Sequence, residues 1–169
     1  MATTTLGLFT NAVEISAGNS SWTNVPAVLA ISGAAQSTTF SSTLTNPIER
    51  DTPLVGADVP GSAVINNIEI QVTCRFSTSL FASGAVRVRI GSGNQHSATI
   101  SVTTSTKTFS GDASYWGLSD AEARDFVDGN LPMQVVLAET SPSTDFFNLN
   151  WVQARIEYEG QLFAPPVLF

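Results

Sequence analysis

The chain reads as an all-β protein, an antiparallel β-sandwich of jelly-roll type with one short helix near residues 120–127. Three observations carry this. The run from Ile68 to Phe76 alternates strictly, with Ile68, Ile70, Val72, Cys74 and Phe76 on one face and Glu69, Gln71, Thr73 and Arg75 on the other, the period of two that marks a half-buried strand. Val152, Ala154, Ile156 and Tyr158 against Gln153, Arg155 and Glu157 repeat that pattern near the end of the chain. Between and before these runs lie further strand-like segments, roughly eight in all, divided by turn residues and interrupted by a single helix signal. An immunoglobulin-like sandwich is the alternative architecture with the same pattern.

Taken in order, residues 1–21 form an N-terminal arm with Leu6, Leu8 and Phe9 followed by Ala12-Val13-Glu14-Ile15 and the turn-forming Gly18-Asn19-Ser20. Arms of this kind either return to the domain or reach for a neighbour. The sandwich domain spans residues 22–159. Strands are expected near Val28–Ile31 and Thr38–Leu44, and Asn46-Pro47 with Asp51-Thr52-Pro53 punctuates a loop carrying Glu49, Arg50 and Asp51. Pro60-Gly61 is a turn that delivers the chain into the Val64–Phe76 strand. Ala85–Ile90 alternates Val86, Val88 and Ile90 with Arg87 and Arg89, so a pairing with Val64–Phe76 would set Glu69 and Arg75 near these arginines.

Gly91-Ser92-Gly93-Asn94 is a turn, Ala98–Thr104 a strand with Ile100 and Val102 inward, and Lys107-Thr108-Phe109 continues the β-like region. Ser119-Asp120-Ala121-Glu122 has the spacing of a capping box, in which a serine hydroxyl and a glutamate satisfy free backbone donors at a helix start. The helix runs from about Asp120 to Val127 and is stopped by Gly129 and Pro132. Met133–Ala138 and Phe147–Glu159 complete the strands. Residues 160–169 form an apolar C-terminal tail in which two adjacent prolines prevent ladder pairing.

Composition narrows the function classes. A chain of 169 residues fits one domain and can bury well over half of its unfolded surface. Only 12% of residues are charged, about half the usual share of roughly 25%, so Ser and Thr occupy the polar positions, as suits pleated surfaces. The net charge of −7, with only seven scattered Lys and Arg, argues against nucleic acid as a partner, because a phosphate backbone demands clustered cations. No apolar run approaches the ~18 residues that span a bilayer, and the first residues lack a basic, then apolar, leader. The expectation is a chain with neither membrane nor secretory signal. A single cysteine excludes an internal disulfide, and its place on the apolar face of a strand makes Cys74 a core thiol.

Chemistry-bearing residues are few. His96, the one histidine, lies in the polar stretch Gly93–Ser97 and reads as an exposed turn residue. Asp120, Glu122, Asp125 and Asp128 have no calcium-loop spacing, and the capping box already accounts for two of them. No phosphate loop, nucleophile elbow or zinc-binding His pair occurs. The expectation is therefore a non-enzyme with no catalytic residue, no cofactor and no metal. Trp22, Tyr115, Trp116 and Trp151 are core or rim aromatics, or platforms for a sugar. The strongest partner-binding candidates are the apolar ends: Leu6, Leu8 and Phe9, and Leu162, Phe163, Pro165, Pro166, Val167, Leu168 and Phe169. Burial of each large side chain is worth roughly 1.5–3 kcal/mol, so a cover is expected, from this subunit or another.

Four landmarks together resemble a module common in tailed-bacteriophage virion proteins: Ser21-Trp22-Thr23-Asn24, the segment Ala63–Ile70, Tyr115-Trp116-Gly117-Leu118, and the closing Val152–Tyr158. The resemblance covers about Trp22 to Glu159. It implies a jelly roll or related sandwich on a virion surface and carries over no catalytic residues. The expectation that follows is a capsid decoration (cement) protein, a homotrimer whose terminal arms bind and stabilise the major capsid protein shell. The alternative is a tail- or fibre-associated receptor- or carbohydrate-binding module.

Overall fold

The computed structural model describes residues 1–4, 7–8, 13–14, 22–23, 35–37, 46–50, 59–76, 84–101, 103–139 and 147–160. The strands expected at Val28–Ile31 and Thr38–Leu44, and Val102, lie outside them. Among the described residues twelve strands and one helix follow in order: β1 Ala2–Thr3, β2 Gly7–Leu8, β3 Val13–Glu14, β4 Trp22–Thr23, β5 Ala35–Ser37, β6 Asn46–Arg50, β7 Val64–Phe76, β8 Gly84–Ile90, β9 Gln95–Ile100, β10 Ser105–Gly111, α1 Asp120–Asp128, β11 Met133–Glu139 and β12 Phe147–Glu159.

The strands form two antiparallel sheets. One runs β10-β7-β12-β5-β4, with β1 and β2 also paired to β12; the other runs β3-β6-β11-β8-β9. The eight strands β5 to β12 thus alternate between sheets in the order of a jelly roll, with β8 and β9 the one hairpin kept within a sheet. The short strands of the first 21 residues pair inside this frame: β1 and β2 with β12, and β3 with β6.

The alternation seen in the sequence sets the layers. Ile68, Ile70, Val72 and Cys74 of β7, with Val152, Ala154 and Ile156 of β12, face Val86, Val88 and Ile90 of β8 and Met133 and Val135 of β11, all of them buried. Burial pushes the Cys74 thiol up to about 12, so it stays protonated and inert at neutral pH. Two bulges interrupt the β7–β12 ladder, between Leu149 and Trp151 and between Glu157 and Tyr158. The first has a clear effect. In the frame of Val152–Ile156, Leu149 would point outward; the extra residue turns it into the core, where it is fully buried.

Two expectations about strand placement are corrected. Asn46–Arg50 is a strand, not a loop, because β11 pairs with all five of its residues. Pro47 stands in that ladder opposite Val136, and among the described residues β3 registers with its neighbours Ile48 and Glu49. Glu69 and Arg75 do not pair with Arg87 and Arg89. A jelly roll sends consecutive strands to opposite sheets: Arg89 instead donates to Gln134 at 2.5 Å, and Glu69 meets Arg155.

The helix begins as its capping box predicts. Glu122 N–H donates to Ser119 Oγ at 3.3 Å, and Ser119 N–H donates to the Glu122 carboxylate at 2.8 Å. That backbone donor, aided by the serine hydroxyl, holds the Glu122 carboxyl below its ordinary range. Gly129 ends the helix at φ 82°, in the left-handed region. Ser119→Ala is expected to lower stability by about 1 kcal/mol. Urea unfolding of the two proteins at neutral pH checks it. The difference should shrink as pH falls through the depressed Glu122 pKa, because the bond from the Ser119 hydroxyl to this carboxylate, which the alanine lacks, weakens once the carboxylate is protonated.

Candidate functional site

The outer face of the seven-stranded sheet gathers polar side chains that bond to one another across its strands. Its composition follows from the alternation: once the even-numbered apolar positions of β7 turn inward, Asn67, Glu69, Gln71 and Thr73 turn outward. Register then brings strands distant in sequence side by side. Trp151 stands opposite Thr73 and Thr73 opposite Thr106; Gln153, Gln71 and Thr108 make the next row; Arg155, Glu69 and Ser110 the third. Glu157 and Asn67 begin a fourth.

These rows are bonded across the strands. Thr73 and Thr106 share a hydroxyl bond of 2.8 Å, and Asn67 exchanges bonds of 3.0 and 3.1 Å with Ser110. At the centre, Arg155 Nη2 donates to Glu69 Oε2 at 2.5 Å, and Gln71 Nε2 donates to Glu69 Oε1 at 2.8 Å. Glu69 and Thr73 are sunk among their neighbours, at 6% and 3% exposure, although they point away from the core. Trp151, Gln153, Gln71 and Arg155 are half-buried, and Thr106, Thr108 and Ser110 are exposed. The result is a face of hydroxyls and amides with one indole and one neutralised ion pair, with Glu157 beside Asn67 at one end and exposed Arg75 beyond Thr73 at the other.

The other sequence candidates are dispersed. Trp116 is not a loop platform: it is fully buried, and its indole N–H donates to the Ile68 carbonyl at 3.1 Å. His96 is not an exposed turn residue. It lies in β9, stacks on Tyr115 at 3.8 Å with the planes 7° apart, and reaches the Tyr115 carbonyl through Nε2 at 3.0 Å. Of the helix acids, Glu122 serves the cap and Asp128 pairs with Arg124, whose guanidinium also donates to the Pro60 carbonyl at 2.9 Å. Among the described residues no group of three His, Cys, Asp or Glu side chains could hold a metal ion.

Of the expected partner-binding residues, Leu8 is placed in β2, where its backbone pairs with Gln153. Leu6, Phe9, Leu162, Phe163, Pro165, Pro166, Val167, Leu168 and Phe169 lie outside the described residues, as does the Trp22 side chain. The sheet face was missed as a site because its members come from three strands. The available signal was the outward row of β7 and β12, read only as a polar surface.

No family model matches the chain, and no curated protein matches it in sequence. Solved structures with a similar trace include the arabinose-bound α-L-arabinofuranosidase MgGH51, at 14% identity and a TM-score of 0.48, covering 86% of this chain and 23% of that one. The chain therefore spans about a quarter of that enzyme's length. The CBM22-1 xylan-binding domain of Paenibacillus barcinonensis Xyn10C is similar at 12% identity and a TM-score of 0.44, covering 89% of this chain and 88% of that one. The family 11 carbohydrate-binding module of Clostridium thermocellum Lic26A-Cel5E is similar at 11% identity and a TM-score of 0.41, covering 86% and 85%. Identities this low say nothing about what this chain binds; its own side chains carry that question.

Proposed function

We propose that the chain is a non-enzymatic binding module that takes a glycan on the outer face of its seven-stranded sheet. One observation carries this reading: a half-buried indole, Trp151, shares that face with a contiguous block of hydroxyls and amides on β7, β10 and β12. A sugar ring has an apolar C–H face and a rim of hydroxyls. The indole suits the first, and Gln71, Gln153, Thr106 and Thr108 can both donate to and accept from the second. Strands hold these groups in place before a ligand arrives, which limits the ordering cost of binding.

Acid–base chemistry is disfavoured on this face. Glycoside hydrolysis uses two carboxyl groups, one of them free to carry a proton, whereas both oxygens of Glu69 are engaged by Arg155 and Gln71. The virion setting rests on the likeness of sequence landmarks. Within it, a glycan-binding face suits a tail- or fibre-associated module better than a protein that clamps the shell through its termini.

The test is a glycan array followed by calorimetric titration of the best ligand. Trp151→Ala is expected to weaken binding at least tenfold, since truncating a central aromatic anchor costs roughly 2 kcal/mol or more. A far-UV circular dichroism spectrum matching the wild type would show that the sheet survives. Equal affinity of the two proteins, or no glycan bound by the wild type, would overturn the reading.

A further inference from the structure

We infer that the Glu69–Arg155 pair acts as a charge filter on this face, so that it accepts uncharged glycan chains and refuses those bearing uronate or sulfate groups. The inference rests on the glycan-binding function and narrows its ligand class. Glu69 sits on β7, between β10 and β12, at the middle of the bonded rows. The two partners are unequally placed: the glutamate side chain is 9% exposed and the arginine 37%. A ligand therefore meets the guanidinium first, with the less exposed carboxylate on the neighbouring strand cancelling its charge.

The groups around the pair are uncharged: Gln71, Gln153, Thr73, Thr106, Thr108, Ser110 and Trp151. The next residue along this face of β12, Glu157, adds a negative charge opposite Asn67. A carboxylate or sulfate arriving at the pair would lose hydration and find no unneutralised cation in these rows; the other cation on this face of β7, exposed Arg75, lies beyond Thr73, opposite Asn148. A neutral chain would leave the pair intact. The molecule's net charge of −7 has the same sign, but at physiological salt its influence fades within about 8 Å, so discrimination at contact falls to the face itself.

The pair can be converted. Arg155 Nε is buried with no partner, so within the described residues Glu69 is the carboxylate that holds this guanidinium. Replacing the carboxylate with an isosteric amide leaves a partly exposed planar cation, whose fork of donors fits a carboxylate oxygen pair.

The experiment uses the full chain in three forms, wild type, Glu69→Gln and the double variant Glu69→Gln/Arg155→Gln, titrated at 0.15 M salt. The probes are neutral hexasaccharides of glucose, xylose and mannose, and an oligogalacturonate of the same length. The wild type is expected to bind at least one neutral probe and not the oligogalacturonate. Glu69→Gln should gain affinity for the oligogalacturonate by roughly tenfold or more, and the double variant should lose that gain. The filter is overturned if the wild type binds the oligogalacturonate as tightly as its best neutral probe. It is equally overturned if Glu69→Gln shows no gain while folded, or if the gain persists without Arg155. If the wild type binds neither class, the glycan-binding function itself fails, a result distinct from all of these.

Discussion

Trp116→Ala is expected to lower the unfolding free energy by about 3–5 kcal/mol, the range for truncating a fully buried aromatic. In a domain of this size that corresponds to a fall in Tm of roughly 6–20 °C. The indole fills the end of the sandwich, and its N–H satisfies the Ile68 carbonyl of the central strand at 3.1 Å. Its backbone carbonyl also accepts the Asn94 N–H at 2.7 Å, which ties the loop before α1 to the β8–β9 turn. The fit there is close enough to require glycine: a Cβ on Gly93 would lie 2.2 Å from that same carbonyl oxygen. Trp116→Phe separates packing from bonding, because phenylalanine keeps most of the volume and leaves Ile68 unsatisfied at a cost of about 1–3 kcal/mol. Urea unfolding followed by circular dichroism checks both variants. A cost below about 1 kcal/mol for the alanine would show that the loop is a cover and not part of the core.

Much of this fold was legible because period-two alternation is a strong signal wherever one sheet face is buried. The two longest strands, Val64–Phe76 and Phe147–Glu159, declared themselves in this way, and the helix through its capping box. Pairing did not. Alternation says that Glu69 and Arg87 both point outward, but not that their strands lie in different sheets, and a jelly roll separates neighbours in sequence as a matter of topology.

The bulge beside Asn150 was equally silent. The strand Phe147–Glu159 is continuous in pattern only from Trp151 onward, and the buried place of Leu149 depends on one extra residue that a strict alternation would deny. Pro47 concealed β6 for a different reason: proline normally argues against a strand, and its place opposite Val136 follows only from the register with β11. The aromatic loop left two readings open, core aromatics or a platform, because an exposed Tyr-Trp pair and a plug look alike in sequence; the Ile68 carbonyl that captures Trp116 and decides for the core lies 48 residues away.

The candidate site shows the same division. Each outward residue of β7 and β12 could be named from its strand, yet the site exists only through register. Thr73 is 33 residues from Thr106, and Glu69 is 86 residues from Arg155. What joins them is the order β10-β7-β12, which follows from closing two sheets over one core and from no local motif.

Phe126→Ala is expected to be as costly as the loss of Trp116, about 3–5 kcal/mol, because the helix cannot stand by itself. Nine residues are too few for a stable isolated helix, which needs ~12–15 even in favourable sequences. The capping box starts α1, but Ala123, Phe126 and Val127 hold it, all buried against the sandwich. Arg124 links the same helix to the turn before β7 through the Val59 and Pro60 carbonyls. Loosening α1 should therefore loosen the start of the central strand as well. Hydrogen exchange distinguishes a shared core from a satellite. In the shared case, amides of α1, of β7 and of β12 lose protection together in Phe126→Ala, in step with the fall in global stability. Protection lost in α1 alone, with β7 and β12 unchanged, would show that the helix caps a sandwich that is stable without it.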